Sequence, residues 1–125
     1  MSDRLSPQKR EARDYLNDIV SSVDAIKSFT KGMRFRKFAT DVKTIFAVVR
    51  ALEIIGEAVR NLPADVKKKH PDMAWAEMIG MRNKLAHEYF GVDTSIVWQT
   101  IKTDLPPLRA AAYKLLKDLG DNPRD

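Results

Sequence analysis

Arginine, asparagine, histidine and tyrosine crowd into the stretch MRNKLAHEYFGVD, residues 81–93, as Arg82, Asn83, His87 and Tyr89. Each type has a chemical use. An imidazole, with an ordinary pKa of about 6.5, moves protons near neutral pH. A guanidinium binds phosphate with a planar fork of donors and stabilises the extra charge of a pentavalent phosphorus. A side-chain amide orients either an imidazole or a phosphate oxygen. Together these residues suit metal-free cleavage of RNA, with His87 handling the proton of the 2′-hydroxyl or of the leaving oxygen and Arg82 holding the phosphate. The plainer reading makes Arg82 a salt-bridge partner, His87 a helix-end residue and Tyr89 a core residue, and it leaves their grouping unexplained.

The element that must position them is a helix running from about Ala74 to Tyr89 and ending at Gly91. On its wheel Trp75, Met78, Ile79, Leu85, Ala86 and Tyr89 fall within an arc of about 120°, and Arg82 lies at the centre of that arc. Glu77, Lys84 and Glu88 point the other way, while Asn83 and His87 stack one turn apart beside Gly80. An arginine in an apolar stripe needs a carboxylate, a second chain or an anionic ligand, because an unpaired buried charge is costly. Glu57 and Glu53 are the available carboxylates. Positions five apart on a helix diverge by about 140°, so Arg82 and His87 of one chain converge poorly. Two copies of the helix across a twofold axis would bring both pairs to one cleft.

The rest of the chain reads as helix. Few glycines and prolines interrupt it, and the segments between them carry the 3.6-residue period with no strand alternation. Ser6 and Pro7 signal the start of a first helix, whose apolar positions Ala12, Leu16, Ile19, Val20, Val23 and Ile26 recur up to about Phe29. After TKGM a long helix is expected over about Phe38 to Asn61, then a short one from Ala64 to about Lys69. Past the motif, DTS offers caps for a helix over Ile96 to Thr103, which LPP should interrupt before a last helix through about Leu119. The long helix is apolar nearly all round: Ile45, Val48, Val49, Leu52, Ile55 and Val59 make one face, and Ala47, Ala51, Ile54 and Ala58 the opposite side. Its polar strip is Arg50, Glu53, Glu57 and Arg60. Such a helix must be buried on both sides, and a homodimer would supply the second cover.

Composition narrows the class. At 125 residues the chain is read as one domain over 1–125, with 120–125 a frayed tail. No apolar run approaches the roughly 20 residues that span a bilayer, and the polar start MSDRLSPQKREARDYL lacks a secretion signal, so no membrane partner and a cytoplasmic location are expected. Zero cysteines and only His70 and His87 leave neither thiolate nor histidine-rich metal sites, and no cofactor is expected. A net charge of +5 favours an anionic partner, although runs such as MRFRKF and VKKKH read equally as solvated surface.

The motif resembles the signature of the HepT-like family of the HEPN superfamily, the ribonuclease toxins of prokaryotic toxin and antitoxin pairs. ALEIIGEAVRNLP is similar to that family's second-helix signature, RDYLNDIVSSVDAI to its first helix and WAEMIGMRNKLAH to its motif helix, so the likeness covers roughly residues 12–118. The resemblance implies an all-α HEPN-type bundle of about five helices, homodimeric with the active cleft at the interface. It implies a metal-independent endoribonuclease, the toxin of a type VII-like HEPN/MNT system, with Arg82 and His87 in the catalytic positions and Asn83 in the polar assisting position. It also implies, as partner, a minimal nucleotidyltransferase antitoxin that acts by binding or by AMPylation of Tyr89. Two other readings stay open: a noncatalytic helical module that engages the nucleotidyltransferase or a nucleotide, and a purely structural dimer.

Overall fold

The structure is a computed structural model that describes residues 10–87 and 93–120, the side chains of Ala86 and His87 excepted. Its described residues form helices and turns with no strand: α1 (Ala12–Phe29), α2 (Phe35–Thr40), α3 (Val42–Asn61), α4 (Ala64–Lys67), α5 (Trp75–His87), α6 (Thr94–Gln99), a π-helical turn (Thr100–Asp104) and α7 (Leu105–Asp118). The expected all-α bundle is present.

α3 is the centre of the packing. α1 lies along it with Leu16, Ile19, Val20, Val23 and Ile26 buried, α5 packs on another flank, and α7 covers α1. Leu52, Ile55 and Val59 of α3 are fully enclosed, and truncating such a side chain to alanine costs about 2–5 kcal/mol. A bidentate pair ties the outer helix down, Arg109 Nε and Nη2 donating to the two oxygens of Asp24 at 2.7 and 3.1 Å. The connection into α5 is fixed by Trp75, whose indole N–H donates to the carbonyls of Lys67 (3.2 Å) and His70 (3.0 Å). Those carbonyls also accept the His70 and Met73 amides, at 3.1 Å each, so the indole ties Trp75 to a turn that is already hydrogen-bonded.

Several boundaries differ from the sequence expectation. The long helix is two helices, because Asp41 takes an extended conformation (φ −99°, ψ 90°) and its carboxylate accepts the Thr44 amide at 3.1 Å. Aspartate is a strong N-cap, and here it starts α3 afresh while α2 stands as a separate turn anchored by the fully buried Phe38. LPP does not interrupt the last helix. The π turn, in which the Leu105 amide reaches back to the Thr100 carbonyl, keeps the chain helical into Leu105, and Pro106 then sits in the first turn of α7 where a missing N–H is tolerated. α1 begins at Ala12, with the Glu11 amide donating to Asp14 Oδ2 at 2.9 Å. The Ser6–Pro7 start signal, the Gly91 stop and the tail beyond Gly120 lie outside the described residues.

The side of α3 expected to need a second copy is partly covered from within. Ala51 and Ala58 are buried and Ala47 and Ile54 half-buried. The large apolar side chains of α3 that do face solvent are Phe46, 69% exposed, and Val42, 61% exposed. At 3.6 residues per turn both fall within about 40° of the line through Arg50, Glu53, Glu57 and Arg60. The uncovered apolar surface thus heads the polar strip instead of lying opposite to it.

Candidate functional site

The puzzle of an arginine in an apolar stripe is resolved by a glycine on the facing helix. On α5, Trp75, Met78 and Leu85 are buried, and Arg82 sits one turn from Met78 in the same row. Opposite it on α3 is the buried Gly56. A Cβ added there would collide with Arg82 Cβ and lie 2.9 Å from Arg82 Cγ and 3.0 Å from the Met78 carbonyl oxygen. The absence of a side chain at Gly56 is what lets α5 approach and lets the arginine stem occupy a core position. The guanidinium then runs out past the rim, leaving the side chain 32% exposed. The stem packs and the charge reaches water, a common compromise for this residue.

That exit point is the wall of an open cleft of about 320 Å³ between the start of α1, the middle of α3 and α5. Three arginine–carboxylate pairs surround it. Arg82 Nη2 lies 3.4 Å from Glu57 Oε1, Arg50 Nη1 lies 3.5 Å from Glu53 Oε1, and Arg10 Nη1 lies 2.9 Å from Asp18 Oδ2. Arg10 also stacks over the Tyr15 ring at 4.9 Å. Glu57 is held in turn by Asn61, whose amide donates to Glu57 Oε2 at 3.2 Å. Asn83 Oδ1 accepts from Arg82 Nη1 at 3.2 Å, so the amide braces the guanidinium through the terminal nitrogen that Glu57 does not contact. One guanidinium nitrogen is thus hydrogen-bonded to Asn83 and the other terminal nitrogen lies within ion-pair distance of Glu57.

The structure therefore brings together Arg82, Asn83 and Glu57. Glu53 lines the same cleft but pairs with Arg50, not with Arg82. His87 is the last residue of α5, its side chain beyond the described part, and Tyr89 lies outside the described residues. Gly56, Tyr15 and Asp18 were not identified from the sequence as parts of the site. The signal for Gly56 was available, a lone glycine inside a long helical pattern. For Tyr15 and Asp18 there was none, since only the α1–α3 register brings them to the cleft. On the far side of the motif, Asp93 caps α6, accepting from the Ser95 hydroxyl at 2.6 Å and from the Ser95 and Ile96 amides. The Ser95 hydroxyl above all, with those amides, holds the Asp93 carboxyl below the usual carboxylate range. Among the described residues no three histidine, aspartate or glutamate side chains converge as metal ligands, and no helix is long and apolar enough to cross a membrane.

Comparison with known proteins finds relatives named as ribonucleases. The chain is 50% identical over 109 residues to a probable ribonuclease HepT of Thermococcus cleftensis, covering 87% of this chain and 99% of the relative. It is 43% identical over 113 residues to a candidate RNase of Methanocaldococcus jannaschii, covering 90% and 97%. With a candidate RNase of Caldanaerobacter subterraneus it shares 43% over 105 residues, covering 84% and 94%. No solved structure matches the chain. A family model described as ribonuclease HepT-like spans residues 19–115, from within α1 through the α3–α5 crossing to α7. The chain belongs to the HepT-like ribonuclease family.

Proposed function

We propose that this protein is a cytoplasmic, metal-independent endoribonuclease in which Arg82 and His87 carry the chemistry and Asn83 assists. The observation that carries the reading is the guanidinium of Arg82, seated on Gly56, braced by Glu57 and Asn83, and open to the cleft. In the proposed step the 2′-oxygen of the substrate attacks the adjacent phosphorus and the bond to the 5′-oxygen breaks. The 2′-hydroxyl loses a proton and the 5′-oxygen gains one, with His87 as the proton carrier. Arg82 neutralises the charge that accumulates on the nonbridging oxygens. The products are a 2′,3′-cyclic phosphate and a 5′-hydroxyl.

The active form is a homodimer. Positions 82 and 87 diverge by about 140° on one helix, so a cleft shared by two copies supplies what one copy does not. Phe46 and Val42, exposed at the head of the Glu57 strip, are the apolar surface available for that contact. As the toxin of a HEPN/MNT pair, the protein is silenced by a nucleotidyltransferase antitoxin. Tyr89 Oη attacks the α-phosphorus of ATP, pyrophosphate leaves, the phenolic proton is lost, and the attached AMP blocks the phosphate subsite beside Arg82.

The deciding experiment is cleavage of RNA in EDTA by wild type, Arg82→Ala and His87→Ala. Wild type should cut, both variants should fall by about 100-fold or more, and the products should carry 2′,3′-cyclic phosphate. A folded wild type that binds RNA or the nucleotidyltransferase without cutting would instead establish the noncatalytic reading, for which the pairing of Arg82 with Glu57 is the supporting observation.

A further inference from the structure

Residues 25–40 contain five cations, Lys27, Lys31, Arg34, Arg36 and Lys37, and no Asp or Glu. Those five equal the whole net charge of +5, since the remaining residues hold seventeen cations and seventeen acids. The excess charge of the protein is thus concentrated at the end of α1, the following turn and α2. All five side chains are exposed. None forms a salt bridge among the described residues, whereas Arg10, Arg50, Arg82 and Arg109 each meet a carboxylate.

The backbone beneath them is well defined. Gly32 takes φ +76°, a conformation that favours glycine, and turns the chain into α2. α2 is held by one fully buried side chain, Phe38, which packs against Trp98 at 5.1 Å between ring centroids. Its other aromatic, Phe35, is 39% exposed and tilts against the same Trp98 at 6.3 Å. Lys102 lies over that indole at 4.6 Å. Cations and an exposed ring on a fixed support are what a single nucleic-acid strand requires, phosphates taking the charges and an unpaired base stacking on the aromatic face.

We propose that α2 and the α1–α2 turn form a second RNA-binding surface, outside the cleft, which holds single-stranded RNA through Lys31, Arg34, Arg36 and Lys37 and stacks a base on Phe35. The surface adjoins the N-terminal end of α3, and Glu57 lies fifteen residues further along, about 22 Å at 1.5 Å per residue. A strand of several nucleotides spans the two sites and a dinucleotide does not. This inference rests on RNA being the substrate, as proposed above.

The test uses the full chain in two arms. In the first, His87→Ala protein is titrated with a fluorescein-labelled 20-nucleotide single-stranded RNA from 50 to 300 mM KCl, with and without Arg34→Gln, Arg36→Gln and Lys37→Gln together. Loss of three phosphate contacts should lower the slope of log affinity against log salt by about 2, and Phe35→Leu should weaken binding about five-fold or more. In the second, the otherwise wild-type triple glutamine variant should cut the 20-mer at least ten-fold less efficiently while cutting a dinucleotide at the wild-type rate. An unchanged salt slope overturns the proposal, and so does a triple variant that keeps its RNA affinity but no longer binds poly-glutamate, which would mark an acidic protein as the partner. If wild type cuts neither substrate the catalytic reading fails, while the binding arm still decides this one. Circular dichroism of the glutamine variant controls for folding.

Discussion

Gly56→Ala tests the central geometrical claim, that a missing side chain on α3 is what seats Arg82. In an ordinary helix interior this substitution is favourable by about 0.5–1 kcal/mol, because alanine loses less backbone entropy than glycine. Here the new methyl would meet Arg82 Cβ head-on, with Arg82 Cγ at 2.9 Å and the Met78 carbonyl oxygen at 3.0 Å. The Cβ of Arg82 and the carbonyl of Met78 belong to the framework of α5 and cannot swing aside as a side-chain tip would. α5 must therefore move away from α3, and overpacking of that kind costs about 1–3 kcal/mol. Setting the two effects against each other predicts a net loss of roughly 1 kcal/mol, read as a lower urea midpoint with the slope unchanged. RNA cleavage should fall further than the folded fraction does, because the guanidinium is carried off with the helix. Arg82→Gly in the same chain removes the Cβ overlap, so the double variant should be more stable than the sum of the two single losses predicts. An alanine variant as stable as wild type, or additive single effects in the double, would refute the argument that the close crossing seats the arginine.

Other consequences are measurable. Phe46→Glu should leave the helical content intact, since the side chain is 69% exposed, yet shift a wild-type dimer toward monomer in sedimentation; an unaffected dimer would place the contact elsewhere. The Asp41 carboxyl is held below the usual carboxylate range, chiefly by the Thr44 amide. Its contribution is therefore complete above the ordinary aspartate value of about 3.9 and is lost as the pH falls through the depressed folded value. Asp41→Asn, which keeps an acceptor but does not titrate, should be close to wild type at pH 7 and show a shallower loss of stability below pH 4, and parallel acid curves would contradict this. Arg109→Ala breaks the bidentate tie between α7 and α1, but both side chains are more than a third exposed, so the loss should be about 1 kcal/mol or less and should shrink in high salt. After incubation with the cognate nucleotidyltransferase and ATP, intact mass should rise by one or more AMP units in wild type and not in Tyr89→Phe.

Local pattern was enough to determine which stretches are helical and which chemistry the motif suits. The recurrence of Leu16, Ile19, Val20, Val23 and Ile26 is a property of residues within one or two turns of each other, and they are the buried face of α1. The order of Arg, Asn, His and Tyr, with IIGEA ahead of them, likewise identified the family without any coordinates. Three-dimensional packing decided the rest. Whether an arginine in an apolar row is buried, and which glutamate it meets, depends on the register between two helices whose contacting residues, Gly56 and Arg82, are far apart in the chain. Periodicity along one helix carries no information about that register, so Glu53 and Glu57 were equivalent from sequence, and only the crossing selects Glu57. The split at Asp41 and the unbroken passage through LPP were hidden for a related reason. A cap competes with helix continuation, and a proline with an adjustable turn, by small free-energy differences, and burial of Phe38, Thr100 and Leu105 by the rest of the fold settles which alternative prevails.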